Sequence, residues 1–121
     1  MRAELRSLQS LEAPDGLDAW RPDDPSEFAI LVEATIGPAG DKGGEIFGFT
    51  VCTPGWVAAH PGAKGFELMH GYVVVPRWDL AVLRRAISDL CRNSEGASWT
   101  EVATRLSRFG SWEFEDYREA T

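Results

Sequence analysis

Cys52 stands just before a short predicted helical turn, and His60 follows closely in sequence. A thiolate at a helix N-terminus near a histidine is the arrangement that cysteine nucleophiles use. The competing reading is a small buried residue, and the strand position of Cys52 favours it. Cys91 falls on the apolar stripe of a predicted helix and reads as core. No GxSxG elbow offers a serine nucleophile instead. His60 and His70 are the two histidines. With Cys52 they would make three metal ligands, but their spacing matches no zinc pattern, so neither a metal nor a cofactor is expected. Gly37 to Gly44 contains four glycines, yet it lacks both GxGxxG and the GK[ST] ending of a phosphate loop, and turn geometry explains it.

The carboxylates are more telling. Asp23, Asp24 and Glu27 gather in one loop, and Glu113, Glu115 and Asp116 in the last ten residues. Acid/base work by such pairs needs a cleft. Their places in a loop and a tail point to surface charge instead. In the tail, rings and carboxylates alternate. If it is extended, Trp112, Phe114 and Asp116 point one way, and Glu113, Glu115 and Tyr117 the other. One face then locks onto a core, while the other offers two carboxylates and a phenol. Trp20, within the acidic loop, and Trp56 are candidate exposed anchors, because Trp and Tyr are enriched among residues that carry binding energy. The candidate partner-binding set is therefore Asp23, Asp24, Glu27, Glu113, Glu115 and Asp116 for charge, with Trp20 and Tyr117 as anchors. Such a surface reads as a binder of something basic.

Composition narrows the partner. Nineteen acidic residues face twelve basic ones, for a net charge of −7. Residues 1–33 hold eight acids against three Arg, and residues 111–121 hold four acids against one. Nucleic-acid binding requires phosphate neutralisation by Lys and Arg, and attachment to an anionic membrane needs the same residues, so neither is expected. A basic protein partner remains. The 121 residues suffice for one domain spanning 1–121, large enough to fold without disulfide or metal. There is no apolar signal region and no stretch of about 18 apolar residues, and the two cysteines have no CxxC spacing. A cytoplasmic protein with reduced thiols is expected.

Periodicity supplies the elements that must position these groups. Residues 2–10 read as a first strand, and residues 13–27, with three Pro and five acids, as a loop. Phe28 to Ile36 alternates as a strand, with Phe28, Ile30, Val32 and Ile36 on one face. Glu45 to Thr53 returns as its antiparallel partner, placing Phe47, Phe49 and Val51 together. The long Gly37–Gly44 connection predicts a mobile tip. Pro54 opens a turn to His60. Phe66 to Val75 reads as a fourth strand, and the β-branched run Val73-Val74-Val75 places it centrally in the sheet. Asp79 caps a helix through about Asn93, whose stripe is Leu80, Leu83, Ile87, Leu90 and Cys91. Ser98 and Glu101 form a capping box for a second helix to about Arg108, and Gly110 stops it. The expected fold class is α+β: an antiparallel sheet of about four strands, two C-terminal helices on one face, and an aromatic, acidic tail.

Four landmarks then line up in order: Phe49-Thr50-Val51-Cys52-Thr53-Pro54-Gly55-Trp56, Gly71-Tyr72-Val73-Val74-Val75-Pro76-Arg77-Trp78-Asp79, Ser98-Trp99-Thr100-Glu101, and Trp112-Glu113-Phe114-Glu115-Asp116-Tyr117. Their order and spacing resemble the immunity protein 8 family of bacterial polymorphic toxin systems, over nearly the whole chain. The resemblance implies a small cytoplasmic, non-enzymatic α+β protein. Such a protein binds a cognate toxin domain and protects the producing cell. Many toxin domains are nucleases with basic grooves, which an acidic face would suit. Two other readings carry their own expectations. A small enzyme using Cys52 with His60 requires a reactive thiol. An adaptor module requires a partner that is not a toxin.

Overall fold

The computed structural model describes residues 1–66 and 68–114. Among these described residues, five strands and three helices follow one another as β1 (Ala3–Gln9), β2 (Ala29–Pro38), β3 (Glu45–Cys52), α1 (Pro54–Ala59), β4 (Tyr72–Val74), α2 (Leu80–Arg92), α3 (Trp99–Leu106) and β5 (Ser111–Trp112). The sheet runs β1-β2-β3-β4, and β5 joins the outer edge of β3. The fold class is α+β, as the residue pattern predicts.

The alternation in β2 and β3 decides which side of the sheet is covered. Val32, Ala34, Ile36, Phe47 and Val51 have no exposed surface, and they share a core with Leu83, Ile87 and Cys91 of α2 and with Val102 and Leu106 of α3. Both helices begin as their caps dictate. The Asp79 carboxylate accepts from Ala81 N and Val82 N. The Ser98 hydroxyl accepts from Glu101 N at 3.2 Å. The returning bond of this capping box goes one residue further back than expected, from Ala97 N to Glu101 Oε2. At the end of α3, Gly110 passes so close to the sheet that a Cβ would stand 2.5 Å from Phe49 Cζ. A bare backbone is required there for the chain to turn toward β5.

Two expectations about the sheet are corrected. It is mixed rather than antiparallel, because β3 and β4 run parallel, pairing Thr50 with Tyr72 and Cys52 with Val74. A parallel neighbour requires a crossover, and the chain from Cys52 through α1 to Tyr72 provides one. The fourth strand is also short and peripheral, not long and central. Extended backward in register, it would set His70 against Gly48, the position that Ser111 of β5 occupies. Gly71, at φ 77°, breaks the extended backbone at that point. The Val73-Val74-Val75 run reflects one side of an edge: Val73 packs on the core, Val74 is 54% exposed, and Val75 is buried.

The Gly37–Gly44 connection, expected to have a mobile tip, is tied down from β1. A bulge at Arg6 interrupts the β1/β2 register. The Arg6 guanidinium donates to the carbonyls of Pro38, Asp41 and Gly43.

Candidate functional site

The carboxylates singled out by sequence occupy two ends of the sheet. Asp23, Asp24 and Glu27 lie in the loop before β2. Asp24 accepts from Ser26 N at 2.9 Å and from Ser26 Oγ at 2.8 Å. These bonds, the backbone one first, hold its carboxyl below the ordinary aspartate range. Glu27 lies beside Gly55 of α1. Glu113 sits at the other end, where its N–H donates to Ile46 O and its carboxylate accepts from Ile46 N at 2.8 Å. The length of β3 separates the two groups, about 23 Å of extended chain. They are not one patch. Glu115, Asp116 and Tyr117 lie outside the described residues.

Trp20 is half-buried rather than free. Its ring meets Phe28 and Trp78 edge-on, with centroids 5.8 and 4.8 Å away, and Phe28 meets Trp78 at 5.7 Å. Such mutual edge-to-face contacts are worth roughly 0.5–1.5 kcal/mol each beyond area burial. They pin the acidic loop to the start of α2.

Trp112, at the start of the tail, is locked onto the sheet, but the extended run expected beyond it gives way to a turn at Glu113 and Phe114, and Phe114 is 43% exposed. Trp112 stacks on Phe47 at 6.1 Å, and Phe114 meets Trp112 edge-on at 6.3 Å. Sequence reasoning missed the group that holds this lock. Glu45, the first residue of β3, accepts the Trp112 indole N–H on Oε2 at 2.6 Å and the Trp99 indole N–H on Oε1. One carboxylate thus joins α3, β3 and β5. Nothing local marks Glu45, because its two partners are 54 and 67 residues away in sequence.

Cys52 is fully buried, and burial raises its thiol pKa, which favours the neutral, unreactive form. Cys91 is pushed up to about 11 by burial, with Glu4 adding to it. His60 is turned to other work. Its Nδ1 lies 2.9 Å from Trp56 O, and its ring stacks on Trp56 at 4.6 Å. The thiol and the imidazole therefore do not form an activated pair. Among the described residues no cluster of His, Cys, Asp or Glu could hold a metal, and no helix is long and apolar enough to cross a membrane.

Between the two acidic ends lies the face of the sheet that the C-terminal helices leave open. Leu31, Glu33 and Thr35 of β2, Thr50 of β3, and Tyr72 and Val74 of β4 share it by alternation and register, and all are at least partly exposed. Leu31 is 53% exposed. A shallow cleft of about 380 Å³ here is lined by Glu12, Leu31, Thr50, Trp56 and Tyr72. Two side chains from the loop after β1 finish the β2 ladder beyond the last paired residue. Ser10 Oγ donates to Leu31 O at 2.6 Å, and Glu12 Oε2 accepts from Leu31 N at 2.8 Å. Trp56 was legible as a candidate anchor; Glu12 was not.

The fold is α+β, with an open sheet face that carries a shallow cleft between Glu12, Trp56 and Tyr72. The chain belongs to the immunity protein 8 family, whose model matches residues 3–117. Among curated proteins and among solved structures, no match to the chain was found. Membership supports a role as an immunity protein in toxin systems and implies a toxin protein as partner; immunity proteins of this kind are generally not enzymes.

Proposed function

We propose that this protein neutralises a cognate bacterial toxin domain by binding over its active surface. The match to the immunity family across residues 3–117 carries this reading. The net charge of −7 refines it toward a toxin with a basic active surface, such as a nuclease groove. On this reading Asp23, Asp24 and Glu27 present charge at one end of the sheet and Glu113 at the other. Glu115 and Asp116, close to Glu113 in sequence, contribute further charge. Trp20 and Tyr117 are the accompanying anchors. Acidic groups facing basic ones speed encounter and disfavour wrong partners. The protein acts in the cytoplasm, where it meets the toxin before the toxin meets its target.

Co-expression with the toxin domain encoded by the upstream neighbour, in a sensitive host, tests the proposal. The expected result is survival together with a co-purifying one-to-one complex. Loss of viability with no complex would overturn the assignment for that pair. The association rate should fall about tenfold or more from low to high salt. A rate indifferent to salt would remove the electrostatic part and leave neutralisation standing.

A further inference from the structure

The cleft on the open sheet face is assembled before any partner arrives. Glu12 is oriented by the Leu31 N–H on Oε2, which leaves Oε1 available. Trp56 is fixed by the Thr53 cap, whose hydroxyl accepts from Trp56 N at 3.3 Å, and by its stack on His60. Tyr72 is set beside Thr50 by the parallel pairing of β3 and β4. The lining thus combines one carboxylate, two aromatic rings and the Thr50 hydroxyl with the apolar Ala29, Ile30 and Leu31, and it has no cationic side chain. Glu33 lies on the same face of β2, next after Leu31. The larger cavity of about 530 Å³ beside Trp78 differs, because both Arg21 and Arg77 and both Asp18 and Asp79 line it, so its formal charges balance.

We infer that this cleft takes an arginine side chain from the toxin, an inference that rests on the immunity reading for the source of the arginine. A guanidinium is planar and weakly hydrated, stacks on aromatic faces, and donates in pairs to a carboxylate. The cleft offers each of those partners. An apolar side chain would strip water from Glu12 and return no hydrogen bond. An anion would meet Glu12 and Glu33 as like charges. Charge complementarity therefore selects a cation, and the two rings select arginine.

The first arm of the test uses N-acetyl-arginine amide as probe and N-acetyl-glutamate amide as control, followed by ¹H–¹⁵N NMR. The arginine probe should shift the Trp56 indole and the Leu31, Thr50 and Tyr72 amides saturably, with a Kd in the millimolar range of roughly 1–10 mM. In Glu12→Gln, whose amide oxygen still accepts the Leu31 N–H, affinity should drop about fivefold. No shifts, equal shifts from the glutamate probe, or unchanged affinity in Glu12→Gln would overturn the inference. The second arm uses the neighbouring toxin domain. Leu31→Arg, which puts a cation over the cleft, should weaken the complex about tenfold or more with an unchanged melting temperature, while Arg85→Glu on the outer face of α2 binds as wild type. If wild type and Leu31→Arg bind the toxin equally, the inference falls and the immunity reading stands. If the arginine probe fills the cleft but wild type does not bind that toxin, the arginine site stands and the immunity reading fails for that pair.

Discussion

The same strands build two unlike surfaces. On one side of β2 and β3, Val32, Ala34, Ile36, Phe47, Phe49 and Val51 are at most 2% exposed beneath α2 and α3. On the other, Leu31 and Val74 are each more than half exposed, and Glu33, Thr50 and Tyr72 are partly so. Adjacent residues along one backbone thus face opposite demands. The covered side must fill space and exclude water, which ties its residues to one another. The open side is free of that constraint, so its composition can answer to a partner. A single-sided sheet separates what holds the protein together from what it can bind.

Three substitutions test that separation. Phe49→Ala, on the covered side, should cost about 3–5 kcal/mol, since it removes a buried ring and leaves a cavity against Gly110. Urea unfolding at equilibrium would show it, and a loss below about 1 kcal/mol would mean the helices collapse onto the gap. Glu45→Gln, at the rim between the two sides, should cost about 1–3 kcal/mol, because the amide can accept one indole N–H but opposes the other with its own donors. Unfolding followed by the fluorescence of Trp99 and Trp112 would report it. Val74→Ser, on the open side, should change stability by no more than about 0.5 kcal/mol. A large loss there would show that the open face is part of the core after all.

The elements that depend on local chemistry were legible. Asp79 and Ser98 start their helices because each carries an oxygen that satisfies free N–H groups in the first turn, and three or four residues are enough to reveal that. Phe47, Phe49 and Val51 announce a buried face by alternation alone. The short fourth strand was not legible, because what stops it is β5 on the same edge of β3, a competitor some 40 residues further on. At the candidate site, Trp56 stood out as a candidate exposed anchor by residue type. Glu12 and Glu45 did not, since their roles come from Leu31, Trp99 and Trp112, which only the fold brings to them. The acidic clusters were visible as clusters, but one dimension could not show that β3 holds Glu27 and Glu113 apart.

The shared outer edge of β3 has a consequence for aggregation. β4 covers Thr50 to Cys52, while Phe47 and Gly48 wait for Ser111 and Trp112. β5 is the last element in chain order among the described residues, and it docks on an edge that the earlier elements leave bare. Until it does, a stretch of strand shows unpaired amides and carbonyls to any neighbouring chain. Docking β5 covers that stretch, and the Glu45 carboxylate closed over two indoles holds the cover in place. A chain cut short before Ser111 would leave that edge bare and open to pairing with a second copy.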